Sequence, residues 1–118
     1  MLDHLALAMT KKDARAAAAC FATNTLVYGL VGNQPLRGSK EVEAYFSKYV
    51  FSRPKLEVSV KSREYIGLSH GFHIVAGELD LKLAPGEKVA KTFRVSGSLK
   101  TDPDGPHFVN VKIYGPLP

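Results

Sequence analysis

The chain has a single cysteine, no block of like charges and no apolar stretch approaching a bilayer span. Each of these absences removes a class of protein. Cys20 has no partner for an internal disulfide, which points to a reducing, cytoplasmic setting. Cys20 itself reads as a small hydrophobe rather than a nucleophile, because no neighbouring His or Lys would stabilise a thiolate. The opening MLDHLALAMTKK sets an acidic residue ahead of a short apolar core and lacks a small-residue cleavage pattern, so it reads as a first helix, not a secretory signal. A transmembrane helix needs about 20 consecutive apolar residues, and without them no membrane partner is expected.

The 16 basic residues outnumber the 11 acidic ones and leave a net charge of +5, which favours anionic partners at long range. Yet Lys11, Lys40, Lys61, Lys91 and Lys112 are scattered, and no DNA- or RNA-reading motif accompanies them, so no nucleic-acid partner is expected. His4, His70, His73 and His107 are too dispersed, and too poorly matched by carboxylates, for a metal site; no metal and no cofactor are called for. Repeats, low-complexity segments and linkers are missing as well. A length of 118 residues then suits one domain spanning 1–118.

What is present begins with helices. Leu2, Leu5 and Met9 recur at helical spacing over residues 2–9, and Thr10 followed by Asp13 reads as the cap of a second helix through DARAAAACFA. A short strand, TLVYG, and a loop, GNQPLRG, come next. Ser39 caps a third helix, in which Val42, Tyr45, Phe46, Tyr49 and Val50 form the clearest amphipathic stripe in the chain, until Arg53-Pro54 ends it.

From Lys55 onward the period changes to two. Leu56, Val58 and Val60 point one way, and the alternation slips near Ser62 to Tyr65 as a β-bulge would make it. The strand FHIVAGELDLKL, a Pro85-Gly86 turn and a hairpin from Val89 to Tyr114 complete four long strands. The order predicts an α+β fold with helices on one face of a mostly antiparallel sheet. A two-residue turn at Pro85-Gly86 sets Gly77 opposite Arg94 and Val75 opposite Ser96; a hairpin closed between Thr101 and Pro106 sets Ile113 opposite Arg94. One face then carries His73, Arg94, Ser96, Val111 and Ile113, and the other carries Phe93, Val95, Phe108 and Tyr114.

The segments DARAAAACFATNTLVYG and LRGSKEVEAYFSKYV, with the last two strands, Arg94 and the closing GPLP, resemble the nuclear transport factor 2-like superfamily, which includes ketosteroid isomerase, scytalone dehydratase, SnoaL-like cyclases and a kinase association domain. The resemblance implies a cystatin-like cone: three N-terminal helices on a strongly curved sheet, a pocket between helices and concave face, and dimerisation through the other face. The chain departs from many small relatives in carrying Lys112-Ile113-Tyr114 where they have His-x-Ser. It also offers no evident counterpart of the isomerase's acidic base.

The association domain has an inward arginine on the strand that Arg94 resembles, which favours the Arg94 face as the concave one. The expected pocket then holds Arg94, Tyr28, Tyr49, Ser96, Val111 and Ile113 as ligand contacts, with His73 as the catalytic residue if there is catalysis. A buried guanidinium calls for an anion, and a ligand carboxylate would supply one. A structural ion pair of Arg94, with Glu64 or across a dimer, is the plainer alternative, as a hydrogen-bonded core position is for His73. Three functions follow. One is a pocket protein for an apolar ligand bearing a carboxylate or carbonyl. Another is an isomerase, dehydratase or cyclase. The third is a non-catalytic homodimerisation module using the face of Phe93, Val95, Phe108 and Tyr114.

Overall fold

The computed structural model describes residues 1–50, 56–82 and 91–115. The chain runs α1 (Leu2–Thr10), α2 (Ala14–Ala18), β1 (Phe21–Val31), β2 (Gln34–Arg37) and α3 (Gly38–Tyr45), which continues as a π-helical turn (Phe46–Val50). Then follow β3 (Glu57–Gly67), a 3-10 turn (Ser69–Gly71), β4 (Phe72–Lys82), β5 (Lys91–Asp102) and β6 (Gly105–Tyr114). The strands form one six-stranded curved sheet in the order β2-β1-β6-β5-β4-β3, with only β1 and β6 parallel among the pairs. The α+β class holds. Of the three α-helices among the described residues, two precede the first strand and the third follows β2. No helix among the described residues is long and apolar enough to cross a membrane.

Several local expectations shift for reasons that lie outside the local sequence. The second helix stops at Ala18, because Phe21 is drawn into β1 opposite Phe108, where both rings are buried. Its cap is Asp13, not Thr10: the Asp13 carboxylate accepts the Ala16 N–H at 3.0 Å. Thr10 is the last residue of α1, and its hydroxyl bonds both the N–H and the C=O of Val58, tying the helix to edge strand β3. GNQPLRG is not a loop throughout. Gly32, at φ 49°, reverses the chain, and Leu36 of β2 is buried opposite Val27. Ser39 is not the cap of α3 either; Arg37 holds that position without a side-chain cap, and its N–H donates back to the Glu41 side chain at 3.0 Å. The bulge in β3 falls between Val60 and Ser62, close to where the broken alternation placed it. The Arg53-Pro54 stop and the Pro85-Gly86 turn lie outside the described residues.

The largest correction concerns register. Arg94 pairs with Glu78 rather than Gly77, and Val95 takes the place opposite Gly77. The β5–β6 pairing begins as expected, with Thr101 opposite Pro106, but an extra residue in β6, Val109, shifts it between Leu99 and Ser98, so that Arg94 faces Tyr114 instead of Ile113. A slip of one residue reverses every side chain of a strand. Val95 and Leu99 thereby join Val75, Val111 and Ile113 in the core, beneath Leu2, Leu5, Ala17, Val42 and Phe46 of the helical layer. Arg94, Ser96 and Tyr114 lie on the outer face.

Candidate functional site

Where the helices lift away from the sheet they leave a cavity of about 170 Å³. Helix α1 lends Leu5 and Met9 to its wall, and the sheet supplies Leu79, Leu81, Phe93 and Ile113. Leu30 of β1 and the end of α3 complete the wall, Tyr45 coming from the last turn of the helix and Phe46 and Tyr49 from the π-helical turn. Such turns widen a helix by one residue and recur at functional sites. Here Phe46 is buried, and the rings of Tyr45 and Tyr49 lie 5.1 Å apart with Tyr49 half exposed, so the tyrosine pair separates cavity from solvent. The Tyr45 hydroxyl donates to the Leu30 carbonyl at 3.4 Å. Lys48 sits over the Tyr49 ring at 5.2 Å and places a cation at the entrance.

Of the residues singled out from sequence, Tyr49 and Ile113 line this cavity. Val111 is core on the same side of the sheet. The others are elsewhere. Arg94 is exposed on the outer face, over the Tyr114 ring at 5.8 Å, and a hydrogen bond to the Tyr114 hydroxyl, helped by Glu78, raises its pKa further. A guanidinium in water needs no ligand anion, and that removes the argument for a carboxylate in the cavity. Ser96 and Tyr28 follow Arg94 outward, on strands next to Lys112. His73 is half-buried on the inner side, but it packs over Gly67 at the opposite end of β4, six residues and about 20 Å from Leu79. Phe93, Val95 and Phe108, expected on a dimer surface, are inside; only Tyr114 of that set is exposed. The aromatic stripe of α3 was the sequence signal for the cavity wall. Nothing local marked Leu79, Leu81 and Phe93 as its floor.

Cys20 is buried, and desolvation pushes its thiol up to about 11 despite the opposing pull of the N-terminal amine. It stays a protonated, inert thiol near neutral pH, as its sequence context suggested. Among the described residues no group of His, Cys, Asp and Glu could hold a metal ion.

A six-stranded curved sheet closed on one side by helices over an apolar cavity defines the nuclear transport factor 2-like, or cystatin-like, fold. Solved structures agree. A nuclear transport factor 2-like superfamily protein from Salmonella enterica serovar Typhimurium superposes with a TM-score of 0.81 at 14% identity, covering 99% of this chain and 87% of that one. A ketosteroid isomerase-like protein from Erwinia carotovora matches at 0.74 and 16%, covering 98% and 90%. A cystatin-like protein of unknown function from Nostoc punctiforme matches at 0.75 and 13%, covering 94% and 82%. At such identities the likeness is one of fold. No family model and no curated protein matches the sequence.

Proposed function

We propose that the protein binds a small apolar molecule, about the size of one substituted aromatic ring, in the cavity between α1, α3 and the sheet. The observation that carries this reading is the lining: among the described residues it is aliphatic and aromatic, with tyrosine hydroxyls as the only side-chain hydrogen-bonding groups. An apolar cavity of about 150 Å³ is known to accept benzene, so the volume suits a ligand of that order. Tyr49 can donate to a ligand oxygen while the Tyr45 hydroxyl is held by the Leu30 carbonyl, and a single neutral donor makes a carbonyl a better match than a carboxylate. General-base chemistry finds less support, because His73 and Arg94 both lie away from the cavity. Titration with acetophenone, followed by NMR, is expected to shift Leu79, Leu81 and Ile113. Leu81→Phe, with native circular dichroism, should weaken acetophenone more than tenfold, and Tyr49→Phe should weaken it about threefold to tenfold without affecting ethylbenzene. Arg94→Ala should change neither. Shifts that map elsewhere, or a Leu81→Phe variant that binds normally, would overturn the reading.

For the outer sheet face the suited partner is a second copy of the chain. Glu64 and Glu78 lie on β3 and β4, and Lys112 and Arg94 lie in the same two cross-strand rows on β6 and β5. A two-fold axis parallel to the strands lays the acidic half of one copy over the basic half of the other, around exposed Ile66, Ile74 and Tyr114. Sedimentation should show a dimer that Glu78→Arg weakens at least tenfold; a wild-type monomer at about 100 µM, well above the Kd of a stable dimer, would exclude it.

A further inference from the structure

A second concavity lies at the other end of the molecule, between α2, the start of β1, the first turns of α3 and the β5–β6 turn. It is an open groove of about 810 Å³, floored by Ala18, Phe21 and Val109. Its wall on the hairpin side is one cross-strand row of the sheet, Phe72, Lys100 and His107. The Lys100 ammonium lies over the Phe72 ring at 5.5 Å, which fixes the charge against an apolar surface. Asp102 organises the neighbouring imidazole. One of its carboxylate oxygens accepts the Asp104 N–H at 2.9 Å and locks the turn, and the other lies 3.4 Å from His107 Nδ1. That pairing directs Nε2 away from the carboxylate, and His107 is only partly exposed.

We infer that this groove is a separate binding site for a small aromatic carboxylate, whose anion is held by Lys100 and His107 and whose ring lies against Phe72. The surrounding charges permit it. From the helical side Arg15 and Lys40 face the groove with Glu43 as the acid, and from the hairpin Lys100 faces it with Asp104; Asp102 is engaged with His107 and the turn. An arriving carboxylate therefore meets the Lys100 ammonium beside the His107 imidazole, with Arg15 and Lys40 across the groove. The open shape separates this site from the enclosed cavity, whose described lining carries no charged side chain.

The test is an NMR titration of the whole chain with benzoate, benzyl alcohol and inorganic phosphate in separate arms. Benzoate should shift Phe72, Lys100 and His107. Lys100→Met should weaken binding about tenfold and His107→Gln about threefold, each with the fold intact by circular dichroism. Leu81→Phe, which fills the other cavity, should bind benzoate unchanged, so failure of one site is distinguishable from failure of the other. Benzyl alcohol or phosphate binding as tightly as benzoate would overturn the inference. So would shifts confined to the apolar cavity, a Lys100→Met variant with wild-type affinity, or no binding at all.

Discussion

Phe108→Ala is expected to remove about 3–5 kcal/mol of folding stability, the range for truncating a fully buried aromatic side chain. Phe108 has 0% of its surface exposed, and its ring lies 5.3 Å from that of Phe21, itself 6.4 Å from Phe46. The residue also holds the backbone junction where β1 meets β6, since its N–H donates to the Cys20 carbonyl at 2.8 Å and its own carbonyl accepts the buried Thr25 hydroxyl at 2.9 Å. Truncation leaves a cavity where α3 and two strands converge, and those backbone bonds resist the collapse that would close it. Urea denaturation should show a lower midpoint with an unchanged slope. Phe72→Ala, on the outer face, should cost under about 1 kcal/mol, within the usual surface range. Similar losses for the two phenylalanines would contradict the assignment of faces.

Gly97→Ala should be comparably damaging, by about 3 kcal/mol or more, at the upper end of overpacking costs. A methyl group there would meet the backbone carbonyl oxygen of Asn110 and lie 2.9 Å from the Val111 Cα, and backbone in a paired strand cannot move aside as a flexible side chain can. The usual expectation has the opposite sign: alanine lowers the entropy of the unfolded chain and generally gains a few tenths to about 1 kcal/mol where the native conformation allows it. Gly67→Ala is the matched control. Its methyl group would sit 3.6 Å from the His73 ring, an ordinary contact, and should be neutral or slightly stabilising. Thermal unfolding of the two variants reads the difference directly. A Gly97→Ala protein as stable as Gly67→Ala would show that β5 and β6 do not approach as closely as the bulge requires.

The two substitutions bear on one question, which way β5 and the last part of β6 present their side chains. Val75, Gly77 and Leu79 of β4 do point inward, but β4 also carries Phe72 and Ile74 on its other side, so its period alone does not choose between the faces. For β5 the alternation is ambiguous. Phe93, Val95 and Leu99 on one side and Arg94, Ser96 and Ser98 on the other give a clear period, but both sides suit a two-sided sheet, and the choice between them rested on an arginine resembling one in a relative. Burial of Val95 and Leu99 against the helices outweighs any local preference, since exposing both would cost about 3–6 kcal/mol in hydrophobic transfer.

Composition, periodicity and order of elements were enough to establish the helices, the long antiparallel strands, the α+β class and the aromatic stripe of α3 that walls the cavity. These are local or near-local properties: amphipathic spacing depends on the residues of one segment, whatever surrounds it. Two things were decided only in three dimensions. Val109 was inserted into β6, and β5 was registered one residue beyond what a two-residue turn at Pro85-Gly86 implies. Because side chains alternate with a period of two, a single extra residue exchanges the inside and outside of a strand. Which strand absorbs it depends on the packing of the whole sheet against its helices.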